Sequence, residues 1–85
     1  MGRMKTRLPP AQHARQLSRL PAPAERRAIR KRAGLSMRNL GDELGVTSTA
    51  VRLWETGQRN VSPEFLARYV AILEDLHSIA GEVES

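Results

Sequence analysis

A six-residue stretch of the chain, residues 48–53, has the side-chain types and the spacing of a helical binding surface. On an α-helix of about 3.6 residues per turn, one side of this stretch carries two hydroxyls, a guanidinium and an isobutyl group, which belong to Ser48, Thr49, Arg52 and Leu53. The opposite side is apolar and consists of Ala50, Val51 and Trp54. Hydroxyls donate and accept hydrogen bonds, and a guanidinium can form two parallel bonds to one partner. These groups are suited to recognition by hydrogen bonding.

The chain offers no recognisable set of catalytic or metal-binding residues. It has no cysteine, and His13 and His77 are its only histidines, fewer than the ligands that a zinc site requires. We find no Ser/His/acid or Cys/His set, no phosphate-cradling glycine loop and no paired carboxylates, and 85 residues leave little room for a substrate pocket. The sequence therefore predicts a protein that is not an enzyme and has no cofactor, no metal and no small-molecule ligand.

The candidate binding surface belongs to a unit of two short helices, residues 36–57. Leu40 and Leu44 stand four apart and give the first helix an apolar stripe, which can close on the apolar side of the second. Gly45 can adopt the left-handed backbone angles that a sharp turn after a helix requires, and Gly41 has no side chain to separate the helices. An αα-hairpin joined by a glycine is the alternative interpretation.

Each of the two helices has its own start signal. Ser36 and Thr47 are residues of the type that accepts hydrogen bonds from the free N–H groups of a helix's first turn. The turn between the helices is therefore predicted to run from about Gly45 to Thr47.

Residues 34–59, GLSMRNLGDELGVTSTAVRLWETGQR, resemble the helix-turn-helix of the lambda-repressor-like (Xre/Cro) family of phage and bacterial regulators. The matching positions are Leu40, Gly41, Leu44, Gly45, Val46, Val51, Glu55, Thr56 and Gly57. With its flanking helices the likeness covers about residues 25–76. It implies an all-α fold, a compact four- to five-helix lambda-repressor-like bundle containing a helix-turn-helix, which carries a basic N-terminal arm in this chain.

The resemblance also implies that helix 47–55 enters the major groove of double-stranded DNA. Its base-reading residues would then be Ser48, Thr49, Arg52 and Leu53. Arg52 could bind a guanine in bidentate fashion, whereas hydroxyls discriminate poorly alone. Leu53 could contact only a thymine methyl group, or it could instead pack against the adjoining helix.

Contacts to the DNA backbone are expected from helix ends and from the loop after the second helix. The candidates are Met37, Arg38, Thr47, Thr56, Gln58, Arg59 and Asn60. The family commonly has a phosphate-binding glutamine where this chain has Met37, which puts that side-chain contact in doubt. The N–H groups near Met37 and Arg38 can still hold a phosphate, aided by the charge of Arg38. An exposed polar loop without a role is the alternative for Gln58 to Asn60.

A buried ion pair is a further implication of the resemblance. In the family, an arginine at the position of Arg30 pairs with the glutamate at the end of the recognition helix, which is Glu55 here. Arg30 belongs to a helix predicted between Pro23 and Gly34. We expect the other basic residues of that helix to be solvated or near phosphate; they are Arg26, Arg27, Lys31 and Arg32.

Charge is distributed unevenly along the chain, whose net charge is +5. Residues 1–33 carry +9, residues 34–60 are neutral and residues 61–85 carry −4. A chain that is basic at one end and acidic at the other suits a protein that presents one face to a polyanion. An anionic membrane surface is a less suitable partner, because no strongly amphipathic basic helix is present.

The flanking regions follow from composition. Residues 1–9 are predicted to be a basic flexible arm, in which Arg3, Lys5 and Arg7 either contact DNA or belong to a solvated tail. Residues 10–20 are predicted to form an extra helix with an apolar stripe of Ala11, Ala14, Leu17 and Leu20. Residues 21–77 would be the DNA-binding domain, and residues 78–85 an acidic tail. The apolar residues Leu76, Ile79 and Val83 near that tail could form a frayed end or a self-association surface.

These observations together predict a small transcriptional regulator that binds double-stranded DNA sequence-specifically, with a size that resembles a phage Cro-like repressor. A module this small gains useful specificity from two copies on a two-fold operator, so we expect a homodimer, formed in solution or only on DNA. The absence of cysteine fits the cytoplasm of a bacterial cell or a phage-infected host. The alternative is an antitoxin or adaptor that uses the same domain mainly to bind a protein.

Overall fold

The computed structural model describes residues 9–84, with side chains up to residue 79, and contains five α-helices in this range. The helices are α1 (Pro10–Arg19), α2 (Pro23–Arg32), α3 (Met37–Leu44), α4 (Ser48–Glu55) and α5 (Pro63–Glu84). The predicted all-α bundle is thereby confirmed. No helix in the described part of the chain combines the length and apolarity that crossing a membrane requires. The predicted arm residues Arg3, Lys5 and Arg7 lie outside the described residues.

The turn between α3 and α4 has the geometry that its glycines predict. Gly45 ends α3 in the left-handed region, with φ of 79° and ψ of 29°. Its N–H and that of Val46 both donate to the carbonyl oxygen of Gly41, at 2.7 and 2.8 Å. A Cβ atom on Gly41 would lie only 2.6 Å from the carbonyl oxygen of Val46, so the turn before α4 lies against α3 because this residue has no side chain.

α5 closes the core beneath α3 and α4. Its inward residues lie with those of the other helices in a single apolar core, which consists of Ile29, Leu40, Leu44, Val51, Trp54, Leu66, Tyr69, Val70, Leu73 and Leu76. The Trp54 ring lies between Tyr69 and Phe65 of α5, with ring centroids 5.2 and 6.1 Å apart in tilted arrangements. The buried side of α4 is therefore anchored to the longest helix of the bundle.

The predicted apolar stripe of α1 is wrong. Leu17 is 50% exposed, and Ala11 and Ala14 are also exposed, whereas the half-buried residues are His13, Gln16 and Leu20. Residues three apart on an α-helix are rotated by about 60° from alignment at each step, so a strict spacing of three winds around the helix. The four apolar residues consequently do not share one side, and Leu20, which directly follows α1, is the one of them that packs against the core.

The C-terminal helix extends further than expected. α5 continues through Gly81 to Glu84, across residues that the sequence analysis assigned to a tail. Leu76, for which a frayed end and a self-association surface were both left open, is 7% exposed and belongs to the core. Ile79 is 47% exposed, and the side chain of Val83 is not among those described.

Candidate nucleic-acid interface

The exposed side of α4 carries the hydrogen-bonding residues that the sequence analysis assigned to base reading. Ser48, Thr49 and Arg52 are exposed, and Leu53 is half-buried. On the opposite side Val51 and Trp54 are buried against α3 and α5. Three of the four predicted residues thus face solvent together, whereas the isobutyl group of Leu53 lies partly against the protein.

The N-terminal end of α4 is held by a single hydroxyl cap. Thr47 Oγ1 accepts a hydrogen bond from the N–H of Ala50 at 3.1 Å, which confirms the predicted N-cap. The Thr47 hydroxyl still has its own proton to donate, because it serves here only as an acceptor. Thr47, Ser48 and Thr49 are all exposed, so three consecutive hydroxyls are accessible at this helix end.

The start of α3 is a second helix N-terminus with free donors. Ser36 Oγ accepts from the N–H of Asn39 at 3.0 Å, and the Asn39 side chain returns to the Ser36 N–H at 3.3 Å, forming a capping box. The N–H groups of Met37 and Arg38 have no acceptor among the described residues. The Met37 side chain packs against the core, whereas Arg38 is exposed. Any anion contact at Met37 would therefore involve its main chain.

Residues 56–62, here called the exit loop, leave α4 through local hydrogen bonds. The Thr56 hydroxyl donates to the Leu53 carbonyl oxygen at 3.2 Å, and the N–H of Arg59 donates to the same oxygen at 3.2 Å. Gly57 has a φ of 78°. The side chains of Gln58, Arg59 and Asn60 are exposed. The loop therefore holds its own main chain in place and leaves three polar side chains available to a ligand.

The C-terminal end of α4 is held by the ion pair that the sequence analysis inferred. Arg30 Nε donates to Glu55 Oε2 at 2.6 Å, and Arg30 Nη2 donates to Glu55 Oε1 at 3.0 Å. A third donor of the same guanidinium, Nη1, binds the Leu35 carbonyl oxygen at 2.8 Å. Arg30 is 6% exposed and Glu55 3%, so this bidentate pair is desolvated.

Arg26 corrects the expectation that the basic residues of α2 are solvated or near phosphate. Its side chain is 9% exposed, with Nε donating to the Pro21 carbonyl oxygen at 2.7 Å and Nη1 to the Trp54 carbonyl oxygen at 3.0 Å. Arg26 and Arg30 stand one helical turn apart and therefore share the inward side of α2. The remaining three basic residues of the helix are exposed as expected: Arg27, Lys31 and Arg32.

The Tyr69 hydroxyl lies buried near Arg26 and Arg30. No described group is in hydrogen-bonding geometry with it. Burial, together with the nearby carboxylate of Glu55, raises the pKa of Tyr69 to about 12, although the positive charges of Arg26 and Arg30 act in the opposite direction. Tyr69 is therefore a neutral residue across the physiological range.

Sequence reasoning missed two arginines that bind main-chain carbonyls. Arg26 is one, and Arg68 is the other, whose Nη1 donates to the Leu44 carbonyl oxygen at the end of α3 at 3.2 Å. The signal for Arg26 was its spacing, because it precedes the inward residues Ile29 and Arg30 by three and four positions. No comparable signal existed for Arg68, because its partner is a carbonyl oxygen that any residue would supply.

Groups of the kind that contact a polyanion are concentrated in α3, α4 and the exit loop. Two helix N-termini, those of α3 and α4, offer main-chain N–H groups or hydroxyls, and the exposed cations Arg38, Arg52 and Arg59 belong to the same helix-turn-helix unit. Hydroxyl and guanidinium groups on an exposed helix can also reach the edges of bases. The side chains predicted to contact DNA backbone and bases thus belong to one continuous segment of chain.

Comparison with known proteins identifies the family. A profile of the Helix-turn-helix family matches residues 27–75, more than half of the chain. No curated protein and no solved structure gives a significant match. The matched residues contain α3, α4 and the exit loop, and members of this family are typically DNA-binding transcription regulators rather than enzymes. The chain belongs to the lambda-repressor-like (Xre) helix-turn-helix family.

Proposed function

We propose that the protein binds double-stranded DNA sequence-specifically as a small transcriptional regulator of the phage Cro-like repressor kind, reading the major groove with α4. The observation that carries the proposal is the two-sided character of α4. Ser48, Thr49 and Arg52 are exposed on a helix whose other side is fixed in the core. A rigid helix with exposed hydrogen-bonding groups is what readout of base edges requires.

Leu53 has a more limited role in this proposal. Its side chain is half-buried, so only part of its apolar surface is available to a thymine methyl group. Phosphate contacts are assigned to the N-termini of α3 and α4, through Met37, Arg38 and Thr47, and to the exit loop. The exit-loop residues concerned are Thr56, Gln58, Arg59 and Asn60. They would fix the position of the protein on the duplex without reading sequence.

Selection from a random pool of duplexes, followed by equilibrium binding at increasing salt, tests the proposal. We expect recovery of a defined motif, with an affinity for it that falls steeply as salt rises because phosphate contacts release counterions. A palindromic motif would support a homodimer on DNA. Recovery of unselected sequence, or no duplex binding at low salt, would contradict the proposal.

Two arginines separate base reading from backbone binding. Replacing Arg52 with alanine is expected to reduce preference among operator variants, because a bidentate base contact discriminates by about 1–3 kcal/mol. Replacing Arg38 with alanine is expected to weaken binding to all duplexes alike and to reduce the salt dependence. Identical behaviour of the two variants would contradict the assignment of their roles.

DNA binding of this kind is proposed to take place in the cytoplasm of a bacterial cell or phage-infected host, at the nucleoid.

One module buries only a modest interface, so two copies on a two-fold operator would supply the specificity that regulation needs. Arg3, Lys5 and Arg7 remain candidates for additional phosphate or minor-groove contacts.

The alternative function, an antitoxin or adaptor that mainly binds protein, has less support. It relied on an exposed apolar surface of Leu53, Leu76 and Ile79. Leu76 is a core residue and Leu53 is half-buried, which leaves Ile79 as the exposed member of that set. Stoichiometric co-purification of a protein that protects Ile79 would favour this alternative.

A further inference from the structure

The C-terminal end of α4 is connected to a part of the chain that precedes the family match. The match covers residues 27–75, whereas α1 and the linker between α1 and α2, residues 20–22, come before it. Arg26, also just outside the match, forms the connection. Its guanidinium joins the Pro21 carbonyl oxygen of the linker to the Trp54 carbonyl oxygen of α4, at 2.7 and 3.0 Å.

The chemistry of this bridge suits a fixed helix end. The Trp54 carbonyl belongs to the last turn of α4, where carbonyl groups and the helix dipole favour a cation. Arg26 is 9% exposed; its bond to the Trp54 carbonyl oxygen is buried, and its bond to the Pro21 carbonyl oxygen is partly buried. A guanidinium N–H that lost its carbonyl acceptor here would be left unsatisfied, which disfavours breaking either bond.

The start of α2 also lies near the end of α4. A Cβ atom on Gly57 would lie 3.5 Å from Pro23 Cγ, so the start of α2 lies against the beginning of the exit loop. An open groove of about 350 Å³ at this place is lined by Leu17, Leu20 and Trp54 among others. Arg26 also lines the groove, so its bridge joins the linker to α4 beside an open space.

We propose that Arg26 is a positioning residue for DNA recognition. Because it bridges the carbonyl oxygens of Pro21 and Trp54, the orientation of α4 depends on the position of α1 and its linker. Arg26 acts through α4 and does not touch DNA. The inference rests on the proposed function, since the orientation of α4 matters because α4 reads DNA. α1 then contributes to operator affinity indirectly, through Arg26 and α4.

The test compares Arg26→Gln with Arg27→Gln in the full chain. Arg27 is the neighbouring residue on α2 and is exposed, so both variants lose one charge while only the first loses the bridge. Affinity is measured for the selected operator and for an unrelated duplex, at a temperature where both variants are fully folded. Trp54 is the only tryptophan, so its emission and its quenching by acrylamide report on the end of α4 without DNA.

We expect the operator affinity of Arg26→Gln to be about tenfold lower than that of Arg27→Gln, equivalent to about 1.4 kcal/mol. The two variants should bind the unrelated duplex with equal affinity. Trp54 quenching should increase only in Arg26→Gln. Equal operator affinity of the two variants would overturn the proposal. If Arg26→Gln does not fold, Arg26→Lys is compared with Arg27→Lys in the same way, because lysine keeps the charge but not the guanidinium fork.

A double-mutant cycle tests the dependence on α1. Leu20→Ala truncates the linker residue that directly follows α1 and packs against the core. If α1 acts through Arg26, the operator affinity of the double variant Leu20→Ala/Arg26→Gln equals that of whichever single variant binds the operator less tightly. Losses that multiply would contradict the coupling. Failure of the wild-type chain to bind any duplex is a failure of the proposed function, and it is seen before any variant is compared.

Discussion

The two ends of α4 are held in very different ways. At the N-terminal end Thr47 and Thr49 are exposed, and one hydroxyl cap at 3.1 Å holds the helix start. At the C-terminal end the Trp54 carbonyl and the Glu55 carboxylate are both buried and bound by guanidinium groups of α2. Stability is therefore concentrated at the end that faces the protein, and freedom to bind a ligand at the other.

This difference separates stability from recognition along a helix of eight residues. Substitutions at the C-terminal end should act mainly on the free energy of unfolding, because they leave buried charges or cavities. Substitutions at the N-terminal end should act mainly on ligand binding, because their side chains contact little protein. Each of the following predictions tests one side of this division.

The largest effect is expected from Glu55→Ala. The substitution leaves the buried guanidinium of Arg30 without its carboxylate, which typically destabilises a protein by about 3–5 kcal/mol. Thermal and urea unfolding followed by circular dichroism would measure the loss. Glu43→Ala, at an exposed residue of α3, is the control and should change the free energy of unfolding very little. An unchanged melting temperature for Glu55→Ala would refute the structural role of the pair.

Alkaline pH offers a second test of the C-terminal end. Burial raises the pKa of Tyr69 to about 12 in the folded chain, from its ordinary value of 10.0. As the pH rises, the hydroxyl therefore ionises at lower pH in the unfolded chain than in the folded one. The stability contributed by neutral Tyr69 is complete below about pH 10 and is lost as the pH rises towards 12, by up to about 2–3 kcal/mol.

Tyr69→Phe should remove this part of the pH dependence. Urea unfolding of both proteins across the alkaline range would measure it, and tyrosinate absorbance follows Tyr69 alone because it is the only tyrosine. Parallel stability curves for the two proteins from neutral to alkaline pH would show that Tyr69 is not held neutral by its surroundings.

A smaller effect is expected at the turn that leads into α4. Gly41→Ala places a Cβ atom 2.6 Å from the Val46 carbonyl oxygen, which forces the turn away from α3 at a cost of about 1–3 kcal/mol. Gly45→Ala meets no atom within 4 Å and costs only the strain of a left-handed backbone, about 1 kcal/mol. The midpoint of urea unfolding should therefore be lower for Gly41→Ala than for Gly45→Ala. The reverse order would contradict the close approach of the turn to α3 at Gly41.

The smallest effect on stability is expected from Thr47→Ala. Loss of the N-cap hydroxyl typically costs about 1 kcal/mol. Thr47→Ser keeps the acceptor and serves as the matched control. A loss from Thr47→Ala as large as that from Glu55→Ala would contradict the difference between the two helix ends.

The sequence was sufficient for the features that depend on local geometry. The caps at Ser36 and Thr47 and the left-handed Gly45 follow from residue type and position, and the structure contains all three. The apolar pattern was misleading in α1, where a spacing of three wound around the helix and placed Leu17 in solvent. A periodic pattern shows which residues share a side of a helix only when its period matches that of the helix.

Long-range polar contacts were predictable only where a side chain had a side-chain partner. Arg30 could be paired with Glu55 because the resemblance supplied both positions, and the two are joined at 2.6 Å. Arg26 binds carbonyl oxygens of Pro21 and Trp54, groups that every residue carries, so its spacing from Ile29 and Arg30 indicated an inward position but not these partners. The partners could be recognised only once the helices were packed.

The most direct test of the account is the operator affinity of the double variant Thr49→Ala/Arg52→Ala, measured together with its melting temperature. Both side chains are exposed, so the account predicts an unchanged melting temperature and an operator affinity lower by about a hundredfold, approaching that for unrelated duplexes. A double variant that binds the selected operator as tightly as the wild-type chain does would contradict the claim that the exposed side of α4 reads DNA.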